Sequence, residues 1–239
     1  MSLRRIPCVL LLASACGGSP AASPSTTPAT ATAAQPSSVK QYDAATLFKN
    51  VGVVPAGFSH DGSKALVSMD SSGVYNLYAI PTAGGEPQRL TTSTESQFAV
   101  SYFPADDRLL YSQDTGGNEL DHLYVLDGQN ARDITPGDKT KAMFLRFSRD
   151  GAWLWVTTNE RDPKVFDLYR YSGKDYQRER VFTNTQAWSI GDISRDGRWL
   201  ALGKSLNNAN SDIYVVDLQK PGAEPRLITP HQGDALSSV

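Results

Sequence analysis

The sequence predicts an all-β fold of repeated four-stranded antiparallel sheets, and three observations predict it. One phrase occurs four times: FSHDGSKALVSMD from Phe58, FPADDRLLYSQD from Phe103, FSRDGAWLWVTTN from Phe147 and ISRDGRWLALGKS from Ile193. A second phrase follows each copy: NLYAI from Asn76, HLYVL from His122, DLYRY from Asp167 and DIYVV from Asp212. Both phrases recur with a period of about 45 residues, and within each period turn signals separate short apolar runs. Repeats of that length with several strands per unit read as β-propeller blades.

Bulk properties bound what the fold can do. The chain has 239 residues, 40% of them hydrophobic, with 23 basic and 25 acidic side chains and a net charge of −2. That is enough apolar material for a packed core. It offers no basic block or aromatic stacking motif for nucleic acid. The two cysteines, Cys8 and Cys16, both precede the repeats, and the three histidines fall in different repeats. No metal or cofactor is therefore expected.

Taken in order, residues 1–16 read as an export leader. Arg4 and Arg5 give a positive start, and Ile6 to Ala15 is largely apolar. A helix of that length spans only ~15 Å, against roughly 30 Å for a bilayer core, so it reads as a signal segment and not as a span. Its end, LLASACGG, resembles a bacterial lipobox, with Ala13 where leucine is commoner. By that resemblance Cys16 is lipidated and anchors the chain to a membrane, periplasmic or outer-membrane associated. The competing reading is plain secretion, with cleavage after Ala13-Ser14-Ala15. Residues 17–40 are almost wholly Ser, Thr, Pro, Ala and Gly and read as an unstructured tether.

Residues 41–239 are expected to form a partial propeller, with repeats near 52–92, 97–136, 141–183 and 187–230. Before them, Asp43 to Asn50 reads as a short helix with Asp43 as N-cap and Tyr42 stapled onto Leu47. In each repeat a first strand precedes the Phe or Ile, and Asp61-Gly62, Asp150-Gly151 and Asp196-Gly197 form tight hairpin turns. The second copy has Asp106-Asp107 there and predicts a looser turn. Near-continuous apolar second strands such as Trp153-Leu154-Trp155-Val156 are what strands covered on both faces require. The Leu-Tyr or Ile-Tyr phrase is the third strand, and pairs such as Leu90-Thr91 and Ile228-Thr229 close the fourth. His231 onwards reads as the start of a fifth repeat. A seven-blade ring needs roughly 315 residues, so the expectation is an incomplete seven- or eight-bladed ring, the N-terminal piece of a longer protein.

The repeat wording is specific enough to suggest relatives. Gly84 to Thr92 (GGEPQRLTT) resembles the blade ending of TolB-like propellers and of the propeller in prolyl oligopeptidase family serine peptidases. The stretches from Tyr42 to Gly62, Gln113 to Asp127, Thr158 to Tyr171 and Leu227 to Ala235 favour the peptidases. That resemblance implies a non-catalytic propeller that gates and orients peptide substrates for a C-terminal α/β-hydrolase domain carrying Ser, Asp and His, a domain this chain lacks. The chain alone is then expected to be inactive. The alternative is a TolB-like periplasmic propeller that binds a protein partner and has no enzyme activity.

Within the chain, the string closest to a hydrolase elbow is Gly57-Phe58-Ser59-His60-Asp61. It lacks the second glycine that the strained turn needs, and repeats three and four place Ser148 and Ser194 at the same step, so Ser59 reads as a turn residue. The candidate chamber residues are Asp114, Glu119, Arg161 and Asp162, from polar stretches between second and third strands that face the same way. Arg161 could pair with a peptide carboxylate and Glu119 with an amine; the competing reading is a network of structural ion pairs. Trp153 and Trp155 share one side of a strand and read as packing between blades.

Overall fold

A computed structural model describes residues 39–238. The leader, Cys16 and most of the tether lie outside the described residues. Residues up to Leu47 belong to one unit and those from Phe48 onward to another. In the first, the expected helix is a single turn, Ala44–Leu47. Asp43 caps it, its Oδ1 accepting from the Thr46 N–H at 2.6 Å. The turn stops short of Asn50 because none of its residues is buried, and so short a helix is not self-supporting.

The second unit consists of four antiparallel sheets, each a simple meander. The first contains β1 (Val53–Phe58), β2 (Lys64–Met69), β3 (Asn76–Pro81) and β4 (Gln88–Arg89). The second contains β5 (Gln97–Tyr102), β6 (Leu109–Gln113), β7 (His122–Asp127) and β8 (Asn130–Asp133). The third contains β9 (Ala142–Phe147), β10 (Trp153–Asp162), β11 (Val165–Ser172) and β12 (Arg178–Phe182), and the fourth β13 (Ser189–Ile193), β14 (Trp199–Asn207), β15 (Asn210–Asp217) and β16 (Arg226–Leu227). These are propeller blades. Sheets one and two and sheets three and four meet through their first strands, β1 against β5 and β9 against β13, and sheets two and three through β7 against β9.

The apolar second strands are continuous because their residues alternate between two neighbouring sheets. Leu66 and Leu77 of sheet one pack with Leu109, Tyr111 and Leu126 of sheet two. The other face of sheet two, with Leu110, Leu123 and Val125, packs on Leu154, Val156, Tyr169 and Tyr171 of sheet three. Trp155 and Leu168 then face Leu200, Leu202 and Val216 of sheet four. Trp155 lies against the next blade's turn: a Cβ added to Gly197 would sit 2.6 Å from its ring.

The Asp-Gly turns share one construction. Ser59, Ser148 and Ser194 each donate a hydroxyl to the aspartate two residues on, at 2.6, 2.6 and 2.5 Å. The same oxygens accept the N–H of Lys64, Trp153 and Trp199 across the hairpin. Gly62, Gly151 and Gly197 take φ near +70°, a conformation that favours glycine. The second repeat departs from this pattern. Its cross-turn bond runs from Phe103 N to Arg108 O, matching Ser59 N to Lys64 O, so Tyr102, not Phe103, stands where Phe58 does. Phe103 replaces the turn serine with a buried ring. It packs 5.1 Å from Phe147 with the Arg108 guanidinium 4.2 Å over its face, and Arg108 donates onward to Gly173 O and the Tyr176 hydroxyl. This turn is braced by the next blade, not loosened.

All four first strands carry a bulge at one equivalent place, Ala56, Val100, Leu145 and Gly191. Beyond β16, the Ser237 N–H donates to Ser211 O. Gln97 and Ala142 do the same to Tyr75 O and Asp121 O, where the first strands of sheets two and three begin.

Candidate functional site

The sheets have two ends. One holds the Ser-Asp-Gly turns and the links between third and fourth strands. The other holds the links between second and third strands and the crossings from sheet to sheet, and all four chamber candidates lie at this second end.

Asp114 and Glu119 lie in the loop between β6 and β7. Gly116, Gly117 and Glu119 all take positive φ, so the loop coils tightly, and Asp114 Oδ2 accepts the Glu119 N–H at 2.9 Å. Asp114 thus shapes the loop. The exposed Glu119 carboxylate makes no hydrogen bond or ion pair among the described residues and is the acid here best placed to meet a ligand. Lys141 joins this loop to sheet three: its Nζ donates to Glu119 O at 2.8 Å and lies 3.6 Å from the Asp121 carboxylate, while its backbone N–H donates to Asn159 Oδ1 at 2.6 Å.

Arg161 and Asp162, which the sequence places in a polar stretch between strands, instead form the end of β10 together with Asn159 and Glu160. The β10–β11 hairpin runs on to Asp162 paired with Val165, past an irregularity in register after Thr158. Arg161 points back at its own sheet. Its Nε and Nη2 donate to the Asp167 carboxylate at 2.5 and 2.8 Å, and Nη2 also reaches Asn184 O at 2.9 Å. Asp167 is fully buried. Burial alone would raise its pKa, but hydrogen bonds from Arg161 and the Asn184 N–H, with the charges of Arg161 and Arg180, hold it below the ordinary carboxylate value. Asp162 accepts the Lys164 N–H at 2.9 Å, and Glu160 pairs with Arg178 at 2.8 Å. The structure therefore brings Glu119, Lys141 and Asn159 together, while Arg161 and Asp162 serve the hairpin.

Asp167 was not a sequence candidate, although its position was visible: it is the polar residue before the Leu-Tyr phrase. In every repeat that residue ties the third strand to the crossing behind it. Asn76 Oδ1 accepts the Ser93 N–H at 2.7 Å. His122 has Asp133 Oδ2 at 2.7 Å on one ring nitrogen and Gly137 O at 3.1 Å on the other. Asp212 faces His231 at 3.2 Å. Thr91, Thr135 and Thr229 complete the station by accepting the N–H of Leu77, Leu123 and Ile213.

Other chemistry is sparse. Ser59 is 4% exposed and spends its hydroxyl on Asp61 and Lys64, which fits a turn and not a nucleophile. Among the described residues there is no group of three potential metal ligands and no helix long and apolar enough to cross a membrane.

No family model matches the chain. It is 33% identical over 130 residues to dipeptidyl aminopeptidase BIII of Pseudoxanthomonas mexicana, a match covering 52% of this chain and 19% of that protein. Among solved structures, TolB from Acinetobacter baumannii superposes with a TM-score of 0.52 at 19% identity, over 77% of this chain and 45% of that one. A prolyl endopeptidase superposes with a TM-score of 0.55 at 16% identity, over 77% of this chain and 30% of that one. The chain thus matches about a fifth of the length of this curated relative and less than half of either solved chain. In fold it resembles the propellers of both TolB and the prolyl peptidases, and in sequence it resembles part of a dipeptidyl aminopeptidase.

Proposed function

We propose that this chain is the non-catalytic N-terminal propeller region of an exported serine peptidase of the prolyl oligopeptidase kind, gating and orienting peptide substrates for a C-terminal α/β-hydrolase domain. The observation that carries the reading is the 33% identity to a dipeptidyl aminopeptidase. The two propeller folds superpose almost equally well, so only the sequence match separates them. The arrangement of the site fits: the turn serines and the polar residues before the third strands are committed to turns and stations, and at the loop end the exposed Glu119 carboxylate is placed to hold a peptide. The leader and Cys16 would place the whole protein on a periplasmic or outer-membrane surface.

The TolB-like reading, a periplasmic propeller that binds a protein partner, remains the second. An antibody raised against the chain separates the two. It is used to capture the native protein from its source cells, and the captured material is treated with a fluorophosphonate that tags active serine hydrolases. A tagged band well above the 25.9 kDa of this chain is expected. An untagged band that co-purifies with a stoichiometric partner would favour the TolB-like reading instead.

A further inference from the structure

The first strands carry a repeated feature that the core only partly uses, Phe98 leaning on Tyr75 with ring centroids 5.0 Å apart. Val54, Phe98, Met143 and Ser189 occupy equivalent places, opposite Ser68, Ser112, Thr157 and Gly203 of the second strands. The three apolar members are 40%, 38% and 46% exposed, although Gln97 and Ala142, which precede Phe98 and Met143, are buried. They lie toward the loop end of the sheets, Phe98 and Met143 beside Asp121 and Met143 also beside the β10–β11 hairpin.

The junctions between sheets differ at this level. Between sheets one and two, Ser68 Oγ accepts the Ala99 N–H at 2.7 Å and zips the sheets together. At the next two junctions the equivalent hydroxyls, Ser112 and Thr157, make no such bond, and a cavity opens at each. The first is about 390 Å³, lined by Phe98, Ser112, Asp121, Met143 and Phe144. The second is about 320 Å³, lined by Met143, Thr157, Lys164, Phe166, Trp188 and Ile190. Met143 is the wall common to both. Thr157 is 1% exposed and its hydroxyl is buried without a partner, a cost that a native core normally avoids. A ligand with a polar backbone and apolar branches would satisfy it.

We propose that these two cavities are adjoining subsites for two apolar side chains of a short peptide lying across Met143, with a peptide amide meeting the Thr157 hydroxyl. Charge orients the occupant: Asp121, which also has Lys141 3.6 Å away, borders the first cavity and Lys164 the second, matching the amine and carboxylate of free peptide ends. The inference rests on the peptide-handling reading and adds to it a substrate class, peptides rich in Leu, Phe or Met.

The test is calorimetric titration of the full 239-residue chain with tri-leucine and with tri-serine, both with free termini. Tri-leucine is expected to bind at least tenfold more tightly. Met143→Arg, a change at a half-exposed position that fills both cavities with charge, should lower tri-leucine affinity at least tenfold. Thr157→Val should lower it roughly threefold to tenfold, the worth of one hydrogen bond. A readout on the unaltered chain guards against a misfolded variant: saturating tri-leucine should slow peroxide oxidation of Met143 severalfold by mass spectrometry, and tri-serine should not. Equal affinity for the two peptides, or oxidation of Met143 unaffected by tri-leucine, overturns the inference. Fluorophosphonate tagging of the larger native protein would still support the peptidase reading in that event, so the two failures are distinguishable.

Discussion

The two ends of the sheets obey different rules. At the turn end, three repeats solve one problem with one set of atoms: serine hydroxyl to aspartate, the same oxygen to a cross-strand N–H, glycine at φ near +70°. At the loop end the same station before the third strand is filled by Asn76, His122, Asp167 and Asp212, each with a different partner. Repetition marks where a blade is being built. Divergence marks where neighbouring blades must present different surfaces, and it is there that Glu119 stands unpaired and the two cavities open. The second repeat shows that the turn end can also depart from the pattern. Phe103 abandons the serine device, and Arg108 compensates by bracing the turn against Gly173 and Tyr176.

The largest effect expected is at the loop end. Asp167→Ala leaves the buried Asn184 N–H unanswered and the partly exposed Arg161 guanidinium without its carboxylate, and orphaning a buried donor costs about 1–3 kcal/mol, to which the lost charge-assisted bonds add. Urea denaturation of the full chain measures it; a loss below about 1 kcal/mol would mean that the station does not hold the hairpin. The same group gives a pH dependence of definite sign. Its folded pKa lies below the ordinary value, so its contribution is fully present above about pH 4 and is lost as pH falls through the folded pKa. Asp167→Asn should flatten that acid limb.

Next in size is a contact that both ends share. Leu154 is wholly buried between sheets two and three, and Leu154→Ala should cost about 2–5 kcal/mol by the same denaturation. Ser148→Ala, which removes the turn relay to Asp150 and Trp153, should cost about 1 kcal/mol, and Ser194→Ala about the same if the device is truly repeated. Unequal losses at these two would break the claim of a common construction. Smallest of all, Glu119→Ala should change stability by no more than about 0.5 kcal/mol, as expected for an exposed side chain with no partner. A larger loss would mean that Glu119 belongs to the scaffold and not to a binding surface.

Most of the fold was legible in the sequence because its causes are local and repeated. Two-faced burial writes itself as an unbroken apolar run, and a tight turn writes itself as Asp-Gly. In the second repeat the shared phenylalanine points to an alignment one residue out, since the hydrogen bonds equate Phe103 with Ser59 and not with Phe58. The site was harder to read. Asn159 to Asp162 look like a loop from their polarity, yet β10 extends through them because Arg161 finds a buried carboxylate in the facing strand. Phe98 and Met143 look like core residues; their exposure follows from their place on the strands where successive sheets meet. The unzipped junctions were invisible, since Ser112 and Thr157 could bond as Ser68 does and nothing in their neighbours' names says that they do not.

The measurement that bears most directly on the central claim is the reading of the gene beyond the Val239 codon. The account predicts an open frame that first completes further repeats of about 45 residues and then carries G-x-S-x-G followed by Asp and His, the strand-to-helix elbow and triad order of an α/β-hydrolase. A frame that closes its last repeat and ends with no such elbow would contradict it, and would leave the chain as a propeller that binds and does not serve a peptidase.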